Sequence, residues 1–327
     1  MRKSRGMTEA RPSEGSGGAE SGIPHASSRP GEGVRQRGKR RAVGLVAAVL
    51  VGGTAAGTPA VANDAAAATE RSRAGDARVA CTSDNGEPAH RLSKAVAGAL
   101  GKHHSTAAVA LYDRSSGTSC TYRAGAAYDS ASVVKATLLG ALLRQAQEDH
   151  RKLTPREKKL ATAMITKSDN DATSTLWREV GRGNVQHFLD LAGMKRTEPG
   201  RKGYWGLTRI TAGDQVKLLK LLTSDNKVLN AKSRAYELRL MNEVTADQRW
   251  GTPAGAPKDA TVHVKNGWLS RDTHGWRVNS IGAFTGSGHD YGIAVLSQDN
   301  KTMADGVERI ETVSRAIHRE LTADSTR

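Results

Sequence analysis

The chain has 327 residues, of which 37% are hydrophobic and 25% are charged, and its formal net charge is +16. At about 150 residues per domain the length allows one or two domains with a substantial core, whereas the low hydrophobic fraction indicates that part of the chain is unfolded or removed. Two cysteines exclude a disulfide-dense scaffold and a zinc site of four thiolates, and the apolar runs are too short for a multi-pass membrane protein.

The N-terminal region is predicted to be an extension followed by an export signal. Residues 1–34 are rich in Gly, Ser, Pro and charge, which is typical of disorder. Residues 35–62 combine a basic segment, a short apolar stretch and the sequence Ala60-Val61-Ala62, which indicates a secretory signal peptide cleaved after about Ala62. A single membrane anchor is the alternative, and Arg40-Arg41 leaves a twin-arginine export route open. No cysteine follows the apolar stretch, so no lipid anchor is expected.

Cleavage would remove ten basic and four acidic residues and leave a secreted chain with a net charge of about +10. Such a charge suits an anionic cell wall, and neither a nucleic-acid partner nor a stable membrane span is expected after processing. In an oxidising compartment Cys81 and Cys120 are expected to form a disulfide. The processed chain is expected to be a monomer.

The processed chain is predicted to be a linker at 63–88 and one folded domain at 89–323. Thr154-Pro155-Arg156-Glu157 is a capping box that begins a helix. Periodicity predicts, in chain order, a helix at 89–101, strands at 107–113 and 118–123, helices at 132–147, from 154, at 171–180, 184–192, 211–223 and near 234–243, strands at 261–265, 277–284 and 291–297, and a helix around 307–321. Strands at both ends of the domain favour one five-stranded antiparallel sheet beside an all-helical lobe, an α/β (α+β) fold with a cleft between the two.

A possible nucleophile stands at the start of the apolar helix, in the sequence Ser132-Val133-Val134-Lys135. Residues three apart share one helix face, so the Lys135 amine could accept the Ser132 hydroxyl proton if burial lowers its pKa. The helix start also offers backbone N–H groups to an oxyanion. A serine cap followed by an exposed lysine is the alternative for so short a motif.

Two further short motifs follow along the chain. A Ser-Asp-Asn tripeptide occurs at 83–85, 168–170 and 224–226, and only the copy at 168–170 falls on a junction between two predicted helices, where a rigid turn can face the cleft. Lys265-Asn266-Gly267 stands at the end of a predicted strand. Its lysine would either bind an anionic group of a ligand or be an ordinary lysine of an edge strand.

Taken in this order, the three motifs resemble the S-x-x-K, S-D-N and K-T-G motifs of class A β-lactamases and penicillin-binding proteins. The resemblance covers roughly residues 89–322. It implies the β-lactamase/transpeptidase-like fold of that superfamily and a serine hydrolase that needs neither a cofactor nor a metal. The substrates it implies are small-molecule β-lactams or cell-wall peptides.

The resemblance also implies a role for each matching residue. Ser132 would be the acylated nucleophile and Lys135 its proton acceptor. Ser168 would pass a proton to the leaving nitrogen, and Asn170 would hold the side-chain amide of the substrate. Lys265 would bind the substrate carboxylate.

The residues around Lys265 complete the implied site. Asn266 and Gly267 would contact the substrate, and the backbone N–H groups of Ser132 and Trp268 would form an oxyanion hole. Asn266 stands where the family has Thr or Ser. The spacing from the nucleophile to the S-D-N motif is also shorter than in typical class A enzymes.

The E-x-x-L-N segment that supplies the deacylating glutamate of class A enzymes is not found. The corresponding loop runs from Arg196 to Leu207, and Glu198, its only carboxylate, is either the water-activating base or a solvated loop residue. Loss of general-base catalysis slows water attack on the acyl-enzyme by ~10²–10⁴-fold. The sequence therefore predicts a secreted serine hydrolase that acts on β-lactams through acyl-Ser132. A D,D-peptidase or esterase of the same fold, or a non-turnover penicillin-binding sensor, are the alternatives.

Overall fold

A seven-stranded antiparallel sheet lies at the centre of the protein. The computed structural model describes residues 68–75, 77–84, 86–101 and 106–325. The central strands are β1 (Ala68–Ala74), β2 (Ala77–Ser83), β3 (Thr106–Asp113), β4 (Thr118–Tyr122), β7 (Thr261–Ser270), β8 (Trp276–Gly286) and β9 (His289–Asn300), and a separate pair is formed by β5 (Ala127–Asp129) and β6 (Arg209–Thr211). The spatial order is β1-β2-β4-β3-β9-β8-β7, so the pairing of β3 with β9 joins the two halves of the folded chain.

Helices cover both faces of this sheet. They are α1 (Glu87–Leu100), α2 (Val134–Glu148), α3 (Pro155–Thr166), α4 (Asn170–Leu191), α5 (Ala212–Thr223), α6 (Ala231–Asn242) and α7 (Met303–Ser325). The first and last helices pack together on one face of the sheet around the buried Leu92, Val96 and Ile310. The other five form a helical lobe whose core includes Leu138, Met164 and Phe188 and continues onto the opposite face of the sheet. The predicted α/β architecture is thereby confirmed.

Local sequence features explain where α3 begins and where α4 is interrupted. The capping box at α3 is formed: the Glu157 N–H donates to Thr154 Oγ1 at 3.1 Å, and the Thr154 N–H donates to Glu157 Oε2 at 2.7 Å. The two helices predicted at 171–180 and 184–192 are one element, α4, interrupted at Gly181, which has a φ of 77°. Only glycine adopts that conformation without strain, so the break falls where the pattern changes.

Two predictions for the N-terminal side of the domain are wrong. The sheet has seven strands and not five, because Ala68–Ser83, which the sequence analysis assigned to a linker, forms the hairpin of β1 and β2. In the edge strand β1 only Ala74 is buried, which explains why its sequence has the polar composition of a linker. The extension and signal peptide predicted for residues 1–62 lie outside the described residues. No helix in the part of the chain that the structure describes is long and apolar enough to cross a membrane.

The expected disulfide between Cys81 and Cys120 is present. The two cysteines are directly opposite each other on β2 and β4, and both are buried beneath α1. The bond therefore fixes the N-terminal hairpin to the sheet, at the edge remote from β7.

Replacing both cysteines with serine is expected to lower the free energy of unfolding by about 3–4 kcal/mol, because the bond closes a loop of about 40 residues in the unfolded chain. Denaturant unfolding of the wild type and of the Cys81→Ser/Cys120→Ser variant measures the difference. A difference below about 1 kcal/mol would contradict this account of the bond.

A buried carboxyl group in the helical lobe gives the fold a pH dependence. Glu237 on α6 is fully buried, and neither of its carboxyl oxygens has a hydrogen-bond partner among the described residues. Burial raises the pKa of Glu237 well above its ordinary value of 4.5. The folded protein therefore holds a proton that the unfolded chain releases, so stability falls as the pH rises above 4.5.

Replacing Glu237 with glutamine, which resembles the protonated acid, is expected to flatten the pH dependence of stability between pH 5 and pH 8. Each unit of the pKa shift corresponds to about 1.4 kcal/mol. Melting temperatures across this range test the expectation, with Glu243→Gln as the control, since Glu243 is exposed at the end of the same helix and pairs with Arg239. Equal pH slopes for wild type and Glu237→Gln would contradict it.

Candidate active site

Ser132 lies on a strained turn that connects β5 to α2. The turn is the 3-10 helix Ala131–Val133, and Ala131 has a φ of 46°, in the left-handed region. The buried Asn279 side chain of β8 donates to the carbonyl oxygens of Asp129 at 2.9 Å and Ser130 at 3.3 Å. Ser132 is half-buried, whereas its neighbours in the turn are buried.

Lys135 follows on the first turn of α2 and is fully buried. Its Nζ donates to Ser168 O at 2.6 Å, to Asn170 Oδ1 at 2.8 Å and to Ser168 Oγ at 3.0 Å. Burial lowers the pKa of Lys135 from 10.5 to about 7, and the charge of Asp169 only partly opposes the shift. About half of the Lys135 amines are therefore neutral near pH 7. Among the described residues, no hydrogen bond joins the amine of Lys135 or that of Lys265 to the Ser132 hydroxyl.

Ser168 connects the helical lobe to the sheet. It has a φ of 55° and stands before α4, whose N-cap Asp169 accepts from the Ala172 N–H at 2.7 Å. The Ser168 Oγ lies 3.0 Å from Lys135 Nζ and 3.0 Å from Lys265 Nζ. Lys265 on β7 is fully buried, and its pKa is lowered well below 10.5 by burial and by the nearby Lys135. Two amines from different lobes thus converge on one hydroxyl.

The segment between α6 and β7 links the two lobes beside this hydroxyl. The Thr245 N–H donates to Thr166 O, and Gln248 Nε2 donates to Lys167 O, both at 3.0 Å. On the sheet side, Asn266 Nδ2 donates to the carbonyl oxygens of Gln248 and Trp250 at 2.8 Å each. Asn266 therefore holds this segment with its side chain, and its contact with the substrate stays a prediction. Successive strand residues point to opposite faces, so Asn266 cannot share the face of Lys265.

Gly267 is where β7 and the Ser132 turn come closest. A Cβ atom at Gly267 would lie 2.6 Å from Ser132 N, 2.7 Å from Val133 N and 2.8 Å from Ser130 O. All three are backbone atoms, so no side chain could move aside for it. Trp268 follows half-buried and packs edge-on against Trp250, with ring centroids 5.7 Å apart. Because β7 is an edge strand of the described sheet, alternate N–H groups of this segment have no partner strand among the described residues.

The loop from Arg196 to Leu207 has one carboxylate, Glu198, which the sequence leaves as either a deacylating base or a solvated residue. Glu198 is exposed; its carboxylate pairs with Arg201 at 3.2 Å and its backbone pairs with Arg209. The same loop instead places the Trp205 ring 4.9 Å from Lys135 Nζ, and the Trp205 indole N–H donates to Ser174 Oγ at 3.1 Å. An indole cannot act as a general base, so this loop contributes an aromatic wall beside the amine.

The structure thus gathers Lys135, Ser168, Asn170 and Lys265 into one hydrogen-bonded group and sets the Ser132 turn against Gly267. Sequence reasoning missed Asn279, because a single asparagine inside an apolar strand has no distinguishing signal. Trp205 lies in the loop that the sequence aligned with the base segment. Within the described residues, no group of three or more His, Cys, Asp or Glu side chains could hold a metal ion.

Comparison with known proteins finds similarity in sequence and in fold. The sequence model of the β-lactamase enzyme family matches residues 152–321, which include Ser168 and Lys265 but begin after Ser132 and Lys135. The chain is 27% identical over 185 residues to a protein named "Putative lipoprotein LppW" of Mycobacterium bovis, and equally to its namesake in Mycobacterium tuberculosis. That alignment covers 54% of this chain and 58% of the relative, so the chain spans little more than half the length of these relatives.

Solved structures of class A β-lactamases share the fold. One from Bacteroides cellulosilyticus superposes with a TM-score of 0.63 at 19% identity, over 72% of this chain and 99% of that structure. A β-lactamase from Sphaerobacter thermophilus gives a TM-score of 0.61 at 20% identity, over 71% of this chain and 96% of that structure. At these identities the likeness concerns the fold alone.

Replacing Gly267 with alanine is expected to reduce covalent labelling of Ser132 by a fluorescent penicillin at least 100-fold, because the new methyl group would push the Ser132 turn away from β7. In-gel fluorescence measures the labelling rate. Gly183→Ala is the matched control, since a Cβ at Gly183 meets nothing within 4 Å. Equal labelling of the two variants, both folded by circular dichroism, would show that the close approach does not shape the site.

Proposed function

Because the chain belongs to the β-lactamase enzyme family, we propose that it is an exported serine hydrolase that β-lactams acylate at Ser132 and that releases the acyl group slowly. The observation that carries the proposal is the meeting of two buried lysine amines at the Ser168 hydroxyl, beside a half-buried serine on a fixed turn. Export rests on the signal pattern in the sequence, and the lipoprotein name of the mycobacterial relatives supports it.

The first step is activation of the nucleophile. A neutral Lys135 amine has two N–H groups, which donate to Ser168 O and Asn170 Oδ1, and one lone pair, which can accept a hydroxyl proton. Ser132 stands three residues before Lys135, on the same face of the helix start. Because catalytic hydrogen bonds often tighten only when substrate is bound, a small rotation of the Ser132 side chain towards Lys135 completes the pair.

The remaining groups serve the acyl transfer. The Ser132 Oγ attacks the β-lactam carbonyl while the backbone N–H groups of Ser132 and Trp268 stabilise the oxyanion. The Ser168 hydroxyl, bonded to both amines, passes its proton to the leaving nitrogen and takes up from Lys135 the proton that Lys135 received from Ser132. Lys265, when protonated, attracts the substrate carboxylate.

In the described chain, the loop from Arg196 to Leu207 supplies no carboxylate base for the second half-reaction. Glu198 faces solvent, and Trp205 occupies the wall beside Lys135. Deacylation then depends on water without general-base assistance, which costs ~10²–10⁴-fold in rate. The same observation favours a second candidate function, a D,D-peptidase or esterase of this fold, whose natural acyl groups would leave faster than a penicilloyl group.

An intact-mass time course with benzylpenicillin tests the proposal. The wild type is expected to gain one penicilloyl group within minutes and to retain it for hours, because acylation is assisted and deacylation is not. Turnover of a D-Ala-D-Ala peptide or a thioester by the same protein would identify the second candidate. Loss of the adduct within seconds would show that an efficient base has been overlooked.

Two variants make this experiment specific. Ser132→Ala is expected to remove the adduct completely. Ser224-Asp225-Asn226-Lys227 is a second S-x-x-K sequence, at the C-terminal end of α5, where the Ser224 hydroxyl donates to Lys220 O. The Ser224→Ala variant should label like the wild type. If the wild type forms no adduct, or Ser132→Ala still forms one, the proposed nucleophile is wrong.

A further inference from the structure

Three arginines surround one carboxylate next to the nucleophile turn. Asp129 Oδ1 lies 2.7 Å from Arg209 Nη1, and its Oδ2 lies 3.2 Å from Arg271 Nη1 and 3.2 Å from Arg277 Nε. These four residues are here called the Asp129 cluster. Asp129 and Arg277 are buried, but the side chains of Arg209 and Arg271 are 42% and 43% exposed.

The charges of the Asp129 cluster do not balance. Within the described chain, Asp129 is the only carboxylate that forms an ion pair with any of the three arginines, and the neighbouring Asp272 forms none. Arg277 Nη1 donates to the carbonyl oxygens of Thr273 and Gly275, and its Nη2 donates to Thr273 Oγ1. Its pKa is lowered by burial and by the charges of Arg271 and Arg209, which Asp129 only partly offsets. An excess of two positive charges therefore remains, mostly on two half-exposed guanidinium groups.

The cluster lies along the same strand edge as the catalytic group. Residues two apart on a strand share a face, so Arg271, just after β7, follows Lys265, Gly267 and Leu269 on the face that meets the Ser132 turn. The ladder continues to Arg271, whose N–H donates to Gly275 O at 3.2 Å. At about 3.3 Å per residue, Arg271 lies ~10 Å beyond Trp268 and ~20 Å beyond Lys265. The Ser132 turn lies between the amines and the arginines.

We propose that the Asp129 cluster is an anion subsite that selects acyl donors carrying a carboxylate on the acyl side, some 10 Å from the carbonyl that Ser132 attacks. The proposal rests on the proposed function and names the substrate class of that site. Guanidinium groups bind carboxylates through paired N–H donors, and a bound carboxylate would neutralise half of the excess charge. A merely structural cluster would need no more positive charge than Asp129 can balance.

Two cephalosporins test the subsite, one with a glutaryl and one with a pentanoyl side chain, which have equal length and differ in a terminal carboxylate or methyl group. The second-order acylation rate constant of the wild type is expected to be about tenfold higher for the glutaryl compound. Arg271→Gln should reduce that ratio to below about 2, and Arg201→Gln, an exposed arginine on the outer side of the neighbouring loop, should leave it unchanged. An equal ratio in wild type and Arg271→Gln, or no preference in the wild type, would overturn the proposal.

A binding experiment separates this proposal from the proposed function. Calorimetry on Ser132→Ala measures the affinity of both compounds without acylation. If neither compound acylates the wild type but the glutaryl compound still binds Ser132→Ala about tenfold more tightly, the subsite stands and the proposed reaction fails. Equal affinities, or a preference that survives in Ser132→Ala/Arg271→Gln, would refute the subsite.

Discussion

Two buried lysine amines share one hydroxyl oxygen in the proposed active site, and neither has a carboxylate partner among the described residues. Lys135 and Lys265 are each 3.0 Å from Ser168 Oγ. Two like charges some 5 Å apart repel by about 3 kcal/mol at an effective dielectric constant of ~20, and burial adds a desolvation cost for each. The fold therefore favours loss of a proton from this pair, and a neutral amine is the base that a serine nucleophile requires.

The two amines meet because the helical lobe packs on the sheet. Lys135 belongs to the lobe, and Lys265 belongs to the sheet. The segment from Thr245 to Trp250 bonds to Thr166 and Lys167 on the lobe and to Asn266 on the sheet. The absence of a side chain at Gly267 lets β7 approach the Ser132 turn, and Asn279 holds that turn from the next strand. Each contact alone contributes little to stability, but together they hold both amines at Ser168 Oγ.

The sequence predicted what depends on periodicity and local motifs. The helical block, the strands from both chain ends and the three motifs all follow from spacing along the chain. The β1–β2 hairpin was missed because an edge strand with one buried residue has almost no apolar pattern. The direction of side chains was harder to predict from the sequence. Asn266 lies on the face of β7 opposite to Lys265, where its side chain bonds to the segment before the strand, and the Glu198 carboxylate faces solvent. The Asp129 cluster could not be predicted, because its residues come from four segments that only the folded chain brings together.

The most direct test of the central claim is a titration of the Lys135 amine itself. The Cε signal of Lys135 in protein labelled with ¹³C-lysine, assigned by its loss in Lys135→Gln, reports the protonation of Nζ as the pH is raised from 5 to 11. We expect a midpoint near 7, because burial lowers the pKa of this amine. A midpoint above 10, the ordinary value for lysine, would mean that Lys135 is charged when the site works, and that it cannot take the proton from Ser132.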